Sequence, residues 1–97
     1  MTKNTILSEL RQRNPEIRAR YKVRRLTLFG SAARDEMREE SDVDILVDFE
    51  GPATFDGYMD LKFYLEDLLK CKVDLVTEKA LRKELRPFVE KDAIHVA

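Results

Sequence analysis

Residues 23–49, VRRLTLFGSAARDEMREESDVDILVDF, decide how this chain folds. Val23–Phe29 reads as a strand, with Leu26 and Leu28 on one face and Gly30 at its end. A short helix is expected from Ser31 through Ala32, Ala33 and Arg34. Residues 35–41 (DEMREES) are polar and read as helix end plus loop. Residues 43–49 then alternate: Val43, Ile45, Val47 and Phe49 fall on one side, and Asp42, Asp44, Leu46 and Asp48 on the other. That is a strand with one buried face.

Working outward, Ile6, Leu7 and Leu10 sit at helical spacing behind Thr5, an expected N-cap. Pro15 is expected to end that helix, and a second short one to open there with Asn14 as its cap, so that Ile17 and Tyr21 share a face. On the C-terminal side Gly51-Pro52 marks a turn. A helix over about 56–70 follows, with Tyr58, Leu61, Leu65, Leu68 and Leu69 on its inner stripe. Lys72–Val76 reads as a third strand, with Val73 and Leu75 opposite Asp74. Thr77 is expected to cap a helix through about Arg86, which Pro87 breaks or restarts, and Ala93–Val96 to add a last short strand. Strands alternating with helices imply an α/β (α+β) domain, a small sheet covered by helices on at least one face.

The chain has 97 residues, which predicts one domain over 1–97, and its 43% hydrophobic residues supply one core. A core of this size stabilises modestly, so association with a second copy or a different subunit would help. Cys71 is the single cysteine, which excludes an internal disulfide and a cysteine-based metal site. No apolar run approaches the roughly 20 residues that span a bilayer, so no membrane partner is expected, and a cytoplasmic location is. Net charge is −1, which gives no bulk attraction to nucleic acid, and no direct contact with it is expected. The charge is uneven: residues 1–34 hold nine Lys/Arg against Glu9 and Glu16, a net +7, and the remainder carries −8. A solvated basic helix explains this, as does a lobe that steers an acidic partner.

Three features carry chemistry when taken together. Gly30-Ser31 joins a strand to a helix: glycine lets the backbone approach a ligand closely, and the N–H groups that follow suit a phosphate. Alone, Gly-Ser is also ordinary turn punctuation. Asp42-Val43-Asp44 places two carboxylates on one strand face about 6.5–7 Å apart at Cα, able to converge on a hard divalent cation. Alone, it is also an exposed strand start. Asp74 sits inside a strand, where aspartate is disfavoured. Beside Asp42 and Asp44 it would crowd three like charges that a metal ion offsets, and otherwise it stands alone in solvent.

The segment Gly30–Phe49 resembles the signature of the DNA polymerase β-like nucleotidyltransferases: Gly-Ser, a spacer, then Asp-x-Asp. The ten residues between Ser31 and Asp42 match the MNT-type minimal members, and the third carboxylate of that family matches Asp74. The resemblance implies the nucleotidyltransferase fold with a mixed sheet, ATP as substrate and two Mg²⁺ ions as cofactors. It implies that Gly30 and Ser31 hold the β and γ phosphates and that Arg34 contacts phosphate. Asp42 and Asp44 would ligate both metals, while Asp74 completes the catalytic one and helps activate the acceptor hydroxyl. One departure is Asp35, where many relatives have Gly: its charge would oppose a triphosphate, or its side chain caps the loop.

Minimal members of that family commonly pair with HEPN-domain proteins in toxin–antitoxin modules. The resemblance therefore implies a protein adenylyltransferase that moves AMP from ATP to a tyrosine of a HEPN ribonuclease toxin and acts as the antitoxin (AMPylation). The alternative is a non-catalytic binding module that neutralises its partner by contact alone. An RNA or antibiotic nucleotidyltransferase fits less well, given the near-neutral charge and the lack of an acceptor domain. His95 and Cys71 read as structural, Tyr58, Phe63 and Tyr64 as core and partner surface, and Lys79 and Arg82 as a solvated helix face or as cations that reach phosphate or a partner.

Overall fold

The structure, a computed structural model, describes residues 1–38 and 40–96. Its elements run α1 (Lys3–Tyr21), β1 (Val23–Phe29), α2 (Gly30–Ala33), β2 (Val43–Phe49), α3 (Phe55–Leu69), β3 (Val73–Thr77), α4 (Arg86–Asp92) and β4 (Ile94–His95). Among the described residues the strands form one mixed four-stranded sheet in the order β3-β2-β1-β4. β1 pairs antiparallel with β2 and with β4, while β2 pairs parallel with β3. The parallel pair needs a crossover, and α3 is that crossover.

α1 and α3 pack together on one face of the sheet. Ile6, Leu10 and Ile17 of α1 and Leu61, Leu65 and Leu69 of α3 are buried there against Leu26, Leu28, Ile45 and Val47. Val23 joins this core although it is out of phase with Leu26 and Leu28. The register against β2 slips between Val23 and Arg25, and the extra residue of that bulge reverses which face each later side chain meets.

Both central strands have the expected bounds, and the third strand lies within one residue of them. Three expectations are corrected. First, α1 is a single helix that runs through Pro15, with Thr2 rather than Thr5 as its cap; the Thr2 hydroxyl accepts from Thr5 N–H. Proline there removes one backbone hydrogen bond, yet Pro15 is exposed while Ile6, Leu10 and Ile17 stay buried, so the apolar stripe outweighs the lost bond. Second, β2 is covered on both sides. Leu46 and Thr27 are buried on the face away from α1, where Val89 of α4 lines the same cleft.

Third, there is no helix from Thr77 to Arg86. Thr77 Oγ1 accepts from Ala80 N–H, and the carbonyl of Thr77 accepts from Ala80 and Leu81. One closed turn results, and further turns lead to α4. α4 starts where Pro87 occupies the first helical positions, since a missing N–H costs nothing there. The loop expected over 35–41 is found at its described positions; Glu39 lies outside the described residues. No helix among the described residues is long and apolar enough to cross a membrane.

Candidate active site

Sheet register brings the singled-out residues together. Phe29, the last residue of β1, is opposite Asp44, and Asp44 is beside Asp74 on the parallel neighbour. Three adjacent strands thus deliver Gly30, Asp44 and Asp74 to one level at the sheet's end. Gly30 turns the chain from β1 into α2 with φ +71°. A Cβ at this position would collide with the Asp44 carboxylate. Glycine is required twice, for its backbone angle and for lack of a side chain.

The charges are crowded. The Asp44 carboxyl is raised from 3.8 to about 6: burial contributes most, followed by the negative charges of Asp74 and Asp42 and by a hydrogen-bonding contact with Asp74, against the opposing pull of Arg34. Asp42 and Asp74 are exposed to solvent on either side of half-buried Asp44. Both act on Asp44 through their charge, Asp74 more strongly than Asp42. Among the described residues no three acidic or His/Cys side chains close a metal site by themselves. The donor set still suits a hard divalent cation, because the carboxylate oxygens share one strand end and carry unbalanced negative charge. Such an ion takes its remaining ligands from water and phosphate.

The loop after α2 is tightly tied. The carbonyl of Ser31 accepts from Glu36 N–H at 2.8 Å, and that of Gly30 from Arg34 N–H at 3.2 Å. Asp35 has φ +59°, the left-handed region that glycine occupies freely and aspartate tolerates. Its carboxylate accepts from Lys3 N–H at 3.0 Å. The departure from glycine thus caps the loop and pins it to the start of α1, and the charge is spent on α1's backbone. Arg34, expected at phosphate, donates to Asp92 of α4 at 2.6 Å and to Glu36 at 3.2 Å. Its charge nonetheless reaches Asp44.

A cleft of about 440 Å³ opens beside Asp74, with Gly30, Arg34 and Asp92 at its rim and Val76, Leu81, Leu85 and Phe88 among its walls. A larger cavity of about 870 Å³, lined by Arg20, Phe49 and Tyr64 among others, lies elsewhere and contains none of the acidic residues singled out above. Chemistry favours the smaller one. The α4 side of this cleft escaped the sequence reading. Its local signal was the i, i+3, i+4 spacing of Leu85, Phe88 and Val89, which fall at the cap and on α4, whereas Leu81 lies in the turns before it. The residues read as structural have structural partners: His95 Nδ1 lies 3.0 Å from Thr27 Oγ1, and the Tyr64 hydroxyl donates to Glu16. Tyr58 donates to the carbonyl of Leu75. Burial pushes the half-buried Cys71 thiol up. Arg82, read as a solvated side chain, borders the cleft.

Residues 4–96 match the family model described as nucleotidyltransferase domain. A relative from Thermococcus cleftensis, named protein adenylyltransferase MntA, is 40% identical over 96 residues, covering 99% of this chain and 97% of that one. A solved minimal nucleotidyltransferase is 41% identical with a TM-score of 0.82, over 97% of this chain and 95% of that one. A chain in a toxin–antitoxin crystal structure with AMP-PNP is 25% identical with a TM-score of 0.71, over 100% of this chain and 73% of that one.

Proposed function

The chain belongs to the nucleotidyltransferase domain family, and on that premise we propose that it transfers AMP from ATP to a tyrosine hydroxyl of a HEPN-domain ribonuclease toxin, acting as its antitoxin in the cytoplasm. The observation that carries this reading is the register of Asp44 against Asp74, with Gly30 pressed on the Asp44 carboxylate. A scaffold that only binds has no use for acidic groups held so close that one of them titrates near 6. The relative that covers nearly the whole chain and is named protein adenylyltransferase supports the choice of AMP and of a protein acceptor.

Asp42, Asp44 and Asp74 would hold two Mg²⁺ ions. When bound, the metal supplies charge neutralisation of the triphosphate and of the leaving pyrophosphate. The chain's own residues do the rest. The Gly30-Ser31 bend presents backbone and hydroxyl donors to the β and γ phosphates. Gly30 lets those phosphates lie close to Asp44. Arg34 adds a cation at the rim, held there by Asp92 and Glu36. Asp74 stands on the outer side of the set, exposed and beside the cleft, where an incoming hydroxyl would meet it.

Co-expression with a HEPN partner and transfer of label from α-labelled ATP test this. Wild type should label the partner's tyrosine and neutralise its toxicity, and a chain carrying both Asp42→Ala and Asp44→Ala should do neither. Equal labelling and equal neutralisation by the two would overturn the enzymatic reading.

A further inference from the structure

We propose that the cleft walled by Val76, Leu81, Leu85 and Phe88 is the acceptor subsite: it takes the aromatic ring of the tyrosine to be modified, so that Leu85 and Phe88 are acceptor-binding residues. This rests on the AMP-transfer reading above and goes beyond it by assigning the ring a place.

Three observations carry the assignment. The first is position. Asp74 lines the cleft together with Gly30 and Arg34 of the phosphate bend, while Ser31, Asp42 and Asp44 do not. In an in-line displacement the attacking oxygen lies opposite the departing pyrophosphate. Phosphates held at Gly30, Ser31 and Arg34 therefore leave the part of the cleft beside Asp74, Leu85 and Phe88 for the acceptor. The second is chemistry. The apolar lining, Val76, Ala80, Leu81, Leu85, Phe88 and Val89, offers no hydrogen-bonding side chain, and Asp74, Arg34, Arg82 and Asp92 line the same cleft. A purine has polar groups around its edge that such walls would leave unpaired, at a cost. A phenol has one polar atom, at its tip. With its ring among the apolar walls, its hydroxyl points to Asp74. The third is exposure. Phe88 is 71% exposed and Leu85 49%, although both are large and apolar. They border a cleft that Asp74 also lines, where an incoming protein would have to cover them.

The reaction balances without further reagents. The tyrosine Oη forms a bond to the α-phosphorus. The bond from that phosphorus to the bridging oxygen breaks, and pyrophosphate departs with its electron pair. The phenolic proton passes to water.

Titration of the full ¹⁵N-labelled chain with N-acetyltyrosinamide tests the assignment without requiring turnover. Resonances of Val76, Leu81, Leu85 and Phe88 should shift, and N-acetylserinamide should leave them in place. Phe88→Ala and, as a second variant, Leu85→Ala should weaken the amide's binding about tenfold, the loss of one good aromatic or apolar contact. Their affinity for a non-hydrolysable ATP analogue with Mg²⁺ should stay within about twofold of wild type, as for residues that touch only the acceptor. The assignment is overturned if the cleft resonances ignore the amide, or if the variants lose nucleotide affinity instead, which would make the cleft a base site. A wild-type chain that binds the amide in the cleft yet never transfers AMP upholds the subsite and sinks the proposed reaction. One that transfers AMP with the cleft unperturbed by the amide does the reverse.

Discussion

Replacing Asp44 by asparagine should make the metal-free protein more stable while ending its activity. In the fold the Asp44 carboxyl titrates near 6, against 3.8 for an ordinary aspartate. The folded chain therefore binds that proton more tightly than the unfolded chain does. The favourable contribution is fully present below about pH 3.8 and is lost as pH rises through 6. At pH 7.5 the ionised group is a liability. A rise of about two units corresponds to about 3 kcal/mol; allowing for solvent screening around a half-buried side chain reduces this to about 1.5 kcal/mol. Asparagine keeps the shape and removes the charge. For a domain of this size the gain should raise the melting temperature by about 6–12 °C at pH 7.5 in a chelator. At pH 4, where wild-type Asp44 is largely protonated, the gap should nearly close. Mg²⁺ should raise the melting temperature of wild type and leave that of Asp44→Asn almost unchanged. Thermal melts of both proteins at the two pH values, with and without Mg²⁺, measure all of this. A variant that melts at or below wild type at pH 7.5, or a gap independent of pH, would refute the account of crowded carboxylates.

Other substitutions probe neighbouring parts of the site. Gly30→Ala puts a methyl into the Asp44 carboxylate at a positive φ and should destabilise by about 2–3 kcal/mol in denaturant titrations, with AMP transfer falling at least about 100-fold as the phosphate bend shifts. Asp35→Gly eases the left-handed backbone but loses the carboxylate's bond to Lys3 N–H and should cost about 0.5–1 kcal/mol, whereas Asp35→Val, which loses the same bond and is β-branched at φ +59°, should cost about 2–3 kcal/mol in the same titrations. Arg34→Ala removes the cation that Asp92 and Glu36 hold at the rim. It should raise KM for ATP about tenfold, the loss of one charge-assisted contact, and an unchanged KM in steady-state kinetics would show that Arg34 serves the α2–α4 link alone.

Local pattern was enough for much of the fold. The alternation in Val43–Phe49, broken only at Leu46, and the apolar stripe of α3 state their elements outright, since a period of two or of 3.6 is a property of neighbouring residues. Where long-range packing outvotes a local signal, the pattern misleads. Pro15 lies within α1 because Ile6, Leu10 and Ile17 bury one continuous stripe. Val23 reaches the core only through a bulge whose existence depends on the partner strand.

The same division holds at the site. Residue identity and spacing singled out Gly30-Ser31 and Asp42-Val43-Asp44, and the family resemblance joined them into one expected site; the antiparallel pairing of β1 with β2, which sets Phe29 opposite Asp44, brings the two motifs to one strand end. That Asp74 stands next to Asp44 was decided by the parallel pairing of β2 with β3, across 29 intervening residues. The holding of Arg34 by Asp92, 58 positions away, and the closing of the cleft by α4 were likewise decided by tertiary packing. Contacts between distant segments depend on how whole elements pack, and no local periodicity encodes them.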